Sequence, residues 1–158
     1  MGKQIGIKKK IQGHTNTALD RDGHREAVAI SEALDTDNIG LIFSSPLKRA
    51  YSSIEPLARK KQKAIICSKN LIERGFGVVE GLEMGNIKSA KAYEQKLILR
   101  QTAEKNYRPD GGESLCDVNI RVKEFLGFLS TIQINGIVVC MTHGGVLDIL
   151  HRIIMNEP

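Results

Sequence analysis

The feature that most constrains the fold is an uninterrupted apolar run over Ile137–Met141, which stops at the polar residues 142–145. A short strand that is apolar at every position is typical of a parallel strand with both faces covered. A second apolar run over residues 39–43 stops in the same way, at residues 44–46. In parallel sheets ligands bind beyond the carboxyl ends of the strands. We therefore expect residues 44–50 and 142–145 to line one pocket.

Helical spacing fills the stretches between these runs. The helix predicted over 113–132 has an apolar face made of Leu115, Val118, Val122, Phe125, Leu126 and Leu129. Residues 20–23 read DRDG and predict a turn before the first helix, and Ser44, Ser45 and Pro46 predict a capped start for the second. The alternation of strands and helices predicts an α/β fold, a three-layer sandwich with a mainly parallel sheet and right-handed crossovers. The predicted helices cover 23–35, 46–60, 89–100 and 113–132, and a final helix follows residues 142–145 and ends at Met155. The predicted strands cover 39–43, 64–67 and 137–141. A loop is predicted over 71–81 and a turn over 109–112.

Length and charge narrow the classes of protein to consider. A chain of 158 residues predicts one domain over 1–158, with residues 1–10 irregular. The net charge of +5 is spread out apart from residues 8–10, and aromatic residues make up 4%, which disfavours nucleic acid as a partner. Cys67, Cys116 and Cys140 lack metal-ligand spacing. With no signal-like or membrane-spanning run, we expect a cytoplasmic protein without a membrane contact. We also expect neither a metal nor a cofactor.

Three side chains are candidates for chemistry, and each has an ordinary alternative. Arg49 is expected in the first turn of a helix, where a guanidinium can fork onto a phosphate, but taken alone it is better interpreted as a surface arginine. His143 follows a buried strand and precedes two glycines, yet histidines at strand ends are often structural. Glu73 lies in a glycine-rich loop and could donate a proton or could pair with Arg74. His14 shows no partner at a telling spacing.

Five segments, taken in order, form a recognisable set: residues 11–19 (IQGHTNTAL), 44–50 (SSPLKRA), Glu73 with Gly77, Glu80 and Gly81, 109–114 (PDGGES) and 142–145 (THGG). Together they resemble the histidine phosphatase (phosphoglycerate mutase-like) superfamily. No single segment is specific, but the ordered set covers the chain from Ile11 to the last helix. The short region between Gly81 and Pro109 leaves little room for the longer insert of the glycolytic mutases. Residues 11–13 resemble the phosphatase branch, including the α-ribazole phosphatase group.

This resemblance implies a phosphatase that forms a phosphohistidine without a metal ion. In the family a histidine of an Arg-His-Gly motif attacks phosphorus, and a carboxylic acid protonates the leaving oxygen. The resemblance assigns the acid role to Glu73 and phosphate binding to Arg49, His143 and Gly144. The implied ligand is inorganic phosphate or a small phosphorylated molecule.

The Arg-His-Gly motif should precede residues 11–13, but residues 1–10 contain no histidine. We therefore expect a form truncated at both ends, in which the nucleophile and its strand are missing and hydrolysis is impaired. The rival hypothesis is a protein that binds phosphate esters without catalysis, or a homo-oligomer that covers the exposed sheet edge. The sequence does not identify the substrate.

Overall fold

Strands and helices alternate along the chain as the apolar runs predict. The structure is a computed structural model that describes residues 10–34, 38–82 and 103–157. The predicted helix over 89–100 lies outside the described residues, as do nine of the ten residues predicted to be irregular at 1–10. The elements within the described residues are α1 (Arg21–Ala33), β1 (Ile39–Ser44), α2 (Lys48–Lys60), β2 (Ile65–Cys67), α3 (Leu115–Thr131), β3 (Ile137–Met141) and α4 (Gly144–Met155).

The three strands form a parallel sheet in the order β2-β1-β3. β1 pairs with both neighbours, so that Ser44 at its end lies opposite Cys67 of β2 and Met141 of β3. Because all three strands run in the same direction, their carboxyl ends meet at one edge of the sheet. The prediction of an α/β fold with a parallel sheet is confirmed.

A helix covers each face of this sheet. On one face Ile42 and Val139 pack with Ile54 of α2. On the other face Phe43 packs with Phe125 of α3, and the two rings meet edge to face with centroids 5.4 Å apart. Successive residues of a strand point to opposite faces, so every position of these strands can be apolar. The arrangement is the predicted three-layer sandwich.

β3 is less buried than its composition suggests. Its residues contribute to the cores on both faces, yet Ile137 is 48% exposed and the other four are half-buried. Among the described residues β3 pairs with β1 alone. A strand covered on both faces would be more buried than this, so the apolar run overstated the burial of β3.

Two helix starts differ from the predictions. α1 begins at Arg21, because the carboxylate of Asp20 accepts the N–H of Gly23 and caps the helix; the residues predicted as a turn are its first turn. α2 begins at Lys48 and not at Pro46, and its N-cap, Leu47, offers no side-chain oxygen. The predicted serine cap is wrong for α2.

The chain divides into two compact units, residues 1–15 with 74–117 and residues 16–73 with 118–158. The sheet belongs to the second unit. In the first unit a tight turn is closed by a hydrogen bond from Gly112 N–H to Pro109 O, as predicted for 109–112. The organisation as one domain stays a prediction. Across the three described stretches, no helix combines the length and the apolar character needed to cross a bilayer.

Candidate active site

The segments after β1 and β3 start side by side at the carboxyl edge of the sheet. The N–H of Ser45 donates to the carbonyl of Met141, with 2.8 Å between the atoms. This bond continues the β1–β3 ladder by one residue beyond Ser44. The residues that follow Ser45 and Met141 therefore leave the sheet from neighbouring positions, as the sequence predicts.

His143 is buried at the N-cap position of α4, with 8% of its surface exposed. Its Nε2 lies 2.8 Å from the hydroxyl of Ser45, which is fully buried and also accepts the N–H of Leu47. Which partner donates depends on the tautomer of the ring. The contact restricts the orientation of the imidazole, while the N-terminus of the 12-residue helix adds positive potential.

Arg49 occupies the second position of α2 and is half-buried, in the first turn as predicted. Two observations show how this turn is held. The N–H of Lys48 donates to Oδ1 of Asn16 across 2.8 Å, and the carbonyl of Arg49 accepts the hydroxyl of Ser53. An amide oxygen from a distant segment thus satisfies a helix-start donor that the predicted serine cap does not reach.

Glu73 reaches the same edge of the sheet from the loop after β2. Its Oε1 is so close to Gly145 that a Cβ atom added there would lie 2.7 Å from it. Glycine at this position therefore makes room for the carboxylate. By contrast, a Cβ added to Gly144 would meet open space, so the backbone of Gly144 is accessible. Glu73 and His143 thus converge on the first turn of α4.

Four residues that hold these groups in place were not among the predicted site residues. Ser45 and Asn16 act through the contacts given above, and Ser45, Asn16 and Thr142 belong to segments that the resemblance marks. Arg121 donates to the backbone carbonyl of Glu73 itself, and Thr142 donates to the carbonyl of Leu71, two residues earlier. The apolar spacing of α3 gave no reason to single out Arg121.

A second polar cluster lies in the first unit and centres on Glu80. Its carboxylate accepts the N–H groups of His14 and Phe76 and the hydroxyl of Thr15. Burial alone would raise the pKa of Glu80, but these hydrogen bonds outweigh it and lower the pKa below the usual value. The imidazole of His14 lies 3.6 Å from a carboxylate oxygen of Glu113. This cluster holds residues 13–15 against the loop around Phe76.

The family can now be assigned. A sequence model of the histidine phosphatase superfamily (branch 1) matches residues 4–158. The chain belongs to this superfamily. The resemblance found in the ordered segments is confirmed, and the convergence of Glu73 and His143 lies within the matched region.

Two relatives illustrate the degree of similarity. The histidine phosphatase chain is 29% identical over 154 residues to phosphoglycerate mutase-like protein 4 of Arabidopsis thaliana, covering 91% of this chain and 63% of the relative. It is 30% identical over 160 residues to glucosyl-3-phosphoglycerate phosphatase of Mycobacterium tuberculosis, covering 96% and 70%. The chain thus spans about two thirds of the length of these relatives.

Solved structures share the fold. The complex of a mycobacterial glucosyl-3-phosphoglycerate phosphatase with inorganic phosphate matches with a TM-score of 0.81 at 27% identity, covering 97% of this chain and 76% of the other. The α-ribazole phosphatase of Shigella flexneri matches with a TM-score of 0.83 at 23% identity, covering 98% and 76%. At that identity the second match bears on the fold alone.

Proposed function

We propose that this histidine phosphatase chain is a phosphomonoester hydrolase that acts on a small phosphorylated metabolite. The observation that carries the proposal is the convergence of the Glu73 carboxylate and the buried His143 imidazole on the first turn of α4. Arg49 follows the neighbouring strand by five residues and lies in the first turn of its own helix. Membership of the superfamily supports the reaction class.

In this proposal a phosphoryl group binds where two helix N-termini meet the sheet edge. The guanidinium of Arg49, the imidazole of His143 and the accessible backbone of Gly144 hold the oxygens of the phosphoryl group and stabilise the charge that develops on them. Glu73 protonates the leaving oxygen as its bond to phosphorus breaks. No metal or cofactor takes part.

The nucleophile is the group that these residues do not supply. No Arg-His-Gly triplet occurs in the 158 residues. Groups of one catalytic set act together, and loss of one typically leaves residual effects of about 10³ to 10⁴ over water. We therefore propose that the 158-residue chain hydrolyses esters slowly while it still binds phosphate.

The proposed ligand is inorganic phosphate or a small phosphate ester. Structures of the mycobacterial phosphatase with inorganic phosphate and with vanadate support this class of ligand. Both are compact oxyanions, which suit a site built from an arginine, a histidine and helix N-termini. A cytoplasmic location remains part of the proposal.

A second candidate function is an oligomer that binds phosphate esters without catalysis. The observation that favours it is exposed apolar surface, since Ile137 of β3 is 48% exposed and Leu147 of α4 is 54% exposed. Covering such surface with a second copy would remove it from water. The mass of the chain in solution tests this candidate, because a clean monomer counts against it.

The first experiment measures hydrolysis of an aryl phosphate by the 158-residue chain, by His143→Ala and by a version with an Arg-His-Gly strand added before Lys3. We expect fast turnover from the extended version alone. Fast turnover by the 158 residues that His143→Ala abolishes would refute the missing nucleophile and make His143 the attacking group.

Phosphate binding is measured separately by calorimetry with a matched pair of variants on α2. Arg49→Gln should weaken binding by about tenfold or more, because it removes a charge-assisted contact. Arg59→Gln is the control, since Arg59 is exposed and pairs with Glu55 one turn earlier on the same helix. Equal affinities in the two variants would remove Arg49 from the site.

A further inference from the structure

The proposed acid lies on a segment without regular structure. Glu73 follows a short 3-10 turn, Lys69–Leu71, and belongs to no helix or strand. A proton donor must stay within hydrogen-bonding reach of its substrate oxygen. Irregular backbone leaves carbonyl groups that need partners outside the segment. Residues 70–73 are here called the Glu73 segment. The contacts that satisfy the carbonyl groups of this segment therefore determine the position of the Glu73 carboxylate.

Arg121 of α3 supplies two of these contacts. Its Nη1 donates to the carbonyl of Asn70 across 2.8 Å, and its Nη2 donates to the carbonyl of Glu73 across 3.2 Å. The planar guanidinium holds both donors in one rigid fork. Two carbonyls three residues apart are thus fixed to the same helix, and the backbone of the proposed acid is one of them.

Thr142 supplies a third contact from the end of β3. Its hydroxyl donates to the carbonyl of Leu71 across 2.7 Å, and the side chain of Leu71 is fully buried with Phe43 and Phe125. Thr142 immediately precedes His143. The segment that carries the proposed acid is therefore joined directly to the backbone that carries the phosphate-binding histidine.

We infer that Arg121 is a positioning residue for Glu73, with Thr142 as its partner on the other side of the Glu73 segment. The inference rests on the proposed function, because it assigns Glu73 a task that requires placement. Arg121 touches backbone carbonyls of the segment and acts on the carboxylate through them. Without the fork, the carboxylate moves away from Gly145 while the sheet stays folded.

The test compares Arg121→Lys and Thr142→Val with Glu73→Gln and with the control Arg59→Lys. Lysine keeps the charge of Arg121 but lacks the rigid two-donor geometry, and valine keeps the shape of threonine without its hydroxyl. Arg59→Lys makes the same change at an exposed position of α2. Thr142→Val provides an independent variant if Arg121→Lys does not fold.

The first readout is amide hydrogen exchange, which needs no ligand. The N–H groups of Leu71 and Ile72 donate to Ser68 and Lys69, whereas that of Tyr51 donates to Leu47 within α2. We expect Arg121→Lys and Thr142→Val to speed exchange at Leu71 and Ile72 by about tenfold or more, with Tyr51 unchanged. Exchange at Leu71 and Ile72 that equals that of the Arg59→Lys control overturns the inference.

The second readout is the affinity for sulfate at a single pH of about 7, measured by calorimetry. The carboxylate of Glu73 repels a bound anion, so Glu73→Gln should raise the affinity by roughly threefold or more.

Arg121→Lys and Thr142→Val, which let the carboxylate move away, should shift the sulfate affinity from the wild-type value toward that of Glu73→Gln. A wild-type affinity in both variants, alongside faster exchange, would make Arg121 a structural residue and overturn its positioning role. Absence of sulfate binding in every variant would count against the proposed function, and the exchange data would then decide by themselves whether Arg121 holds the segment.

Discussion

The carboxylate of Glu80 accepts three hydrogen bonds from two segments of the first unit. A depressed pKa means that folding favours the ionised form. The corresponding stability is present above the ordinary glutamate value of about 4.5 and is lost as the pH falls through the lower pKa of the folded state. Gly13 packs against the same carboxylate and has a positive φ of 49°.

Glu80→Gln should lower the free energy of unfolding by about 1 kcal/mol at neutral pH, after allowance for solvent screening of this half-buried group. The amide keeps the size of the side chain but loses the charge that the donors stabilise. Urea denaturation from pH 7 to below 4.5 should show a smaller loss of stability in the variant than in the wild type.

Glu55→Gln is the matched control, because Glu55 pairs with Arg59 on the surface of α2. Its stability should follow the wild-type pH profile closely. Identical pH profiles for Glu80→Gln and the wild type would show that the three hydrogen bonds do not favour the ionised carboxylate.

At the scale of elements, side-chain oxygens decide where helices begin. Asp20 caps α1 locally, three residues before the N–H that it accepts. Asn16 accepts the first N–H of α2 from 32 residues away. α1 therefore begins earlier than its apolar spacing indicates, and α2 begins after Pro46 and Leu47. The start of α2 sets the position of Arg49 in its first turn.

Asp20→Ala should destabilise the protein by about 1 kcal/mol, whereas Asp20→Asn should cost much less. Asparagine keeps an oxygen for the N–H of Gly23, and alanine leaves that donor without the cap. Thermal and urea unfolding of both variants measure the difference. Equal losses for alanine and asparagine would point to the charge of Asp20, and not to its capping oxygen, as the stabilising feature.

At the scale of the whole molecule, packing lowers the reactivity of one of the three cysteines. Cys140 of β3 packs into the core between the sheet and α3, and burial raises the pKa of its thiol to about 11. Cys67 and Cys116 are exposed. Because the thiolate is the reactive form, the raised pKa and partial burial of Cys140 should make it react more slowly than the two exposed thiols.

We expect iodoacetamide at about pH 8 to modify Cys67 and Cys116 at least tenfold faster than Cys140 in the folded chain. Peptide mass spectrometry identifies each site. In urea the three rates should become similar, which controls for intrinsic differences between the thiols. Labelling of Cys140 as fast as that of Cys67 without denaturant would show that its partial burial in β3 does not protect the thiol.

Much of the architecture could be predicted because it depends on local patterns. The apolar runs predicted the three strands of the described residues to within a residue or two, because each strand is a short contiguous run. The spacing of Val118, Val122 and Phe125 predicted the buried face of α3. The order of the motifs was sufficient for the family, because each motif is a short contiguous segment.

Tertiary structure alone decided how the site is held together. Ser45 and His143 are 98 positions apart, and Arg121 and Glu73 are 48 apart, so no local periodicity connects them. The room beside Gly145 is visible only once Glu73 lies against it. Backbone carbonyls of a loop leave no trace in the amino-acid pattern, yet they must find donors on folding. The sequence by itself determined the strands, the buried helix face and the family, and packing determined which side chains hold Glu73 and His143 in place.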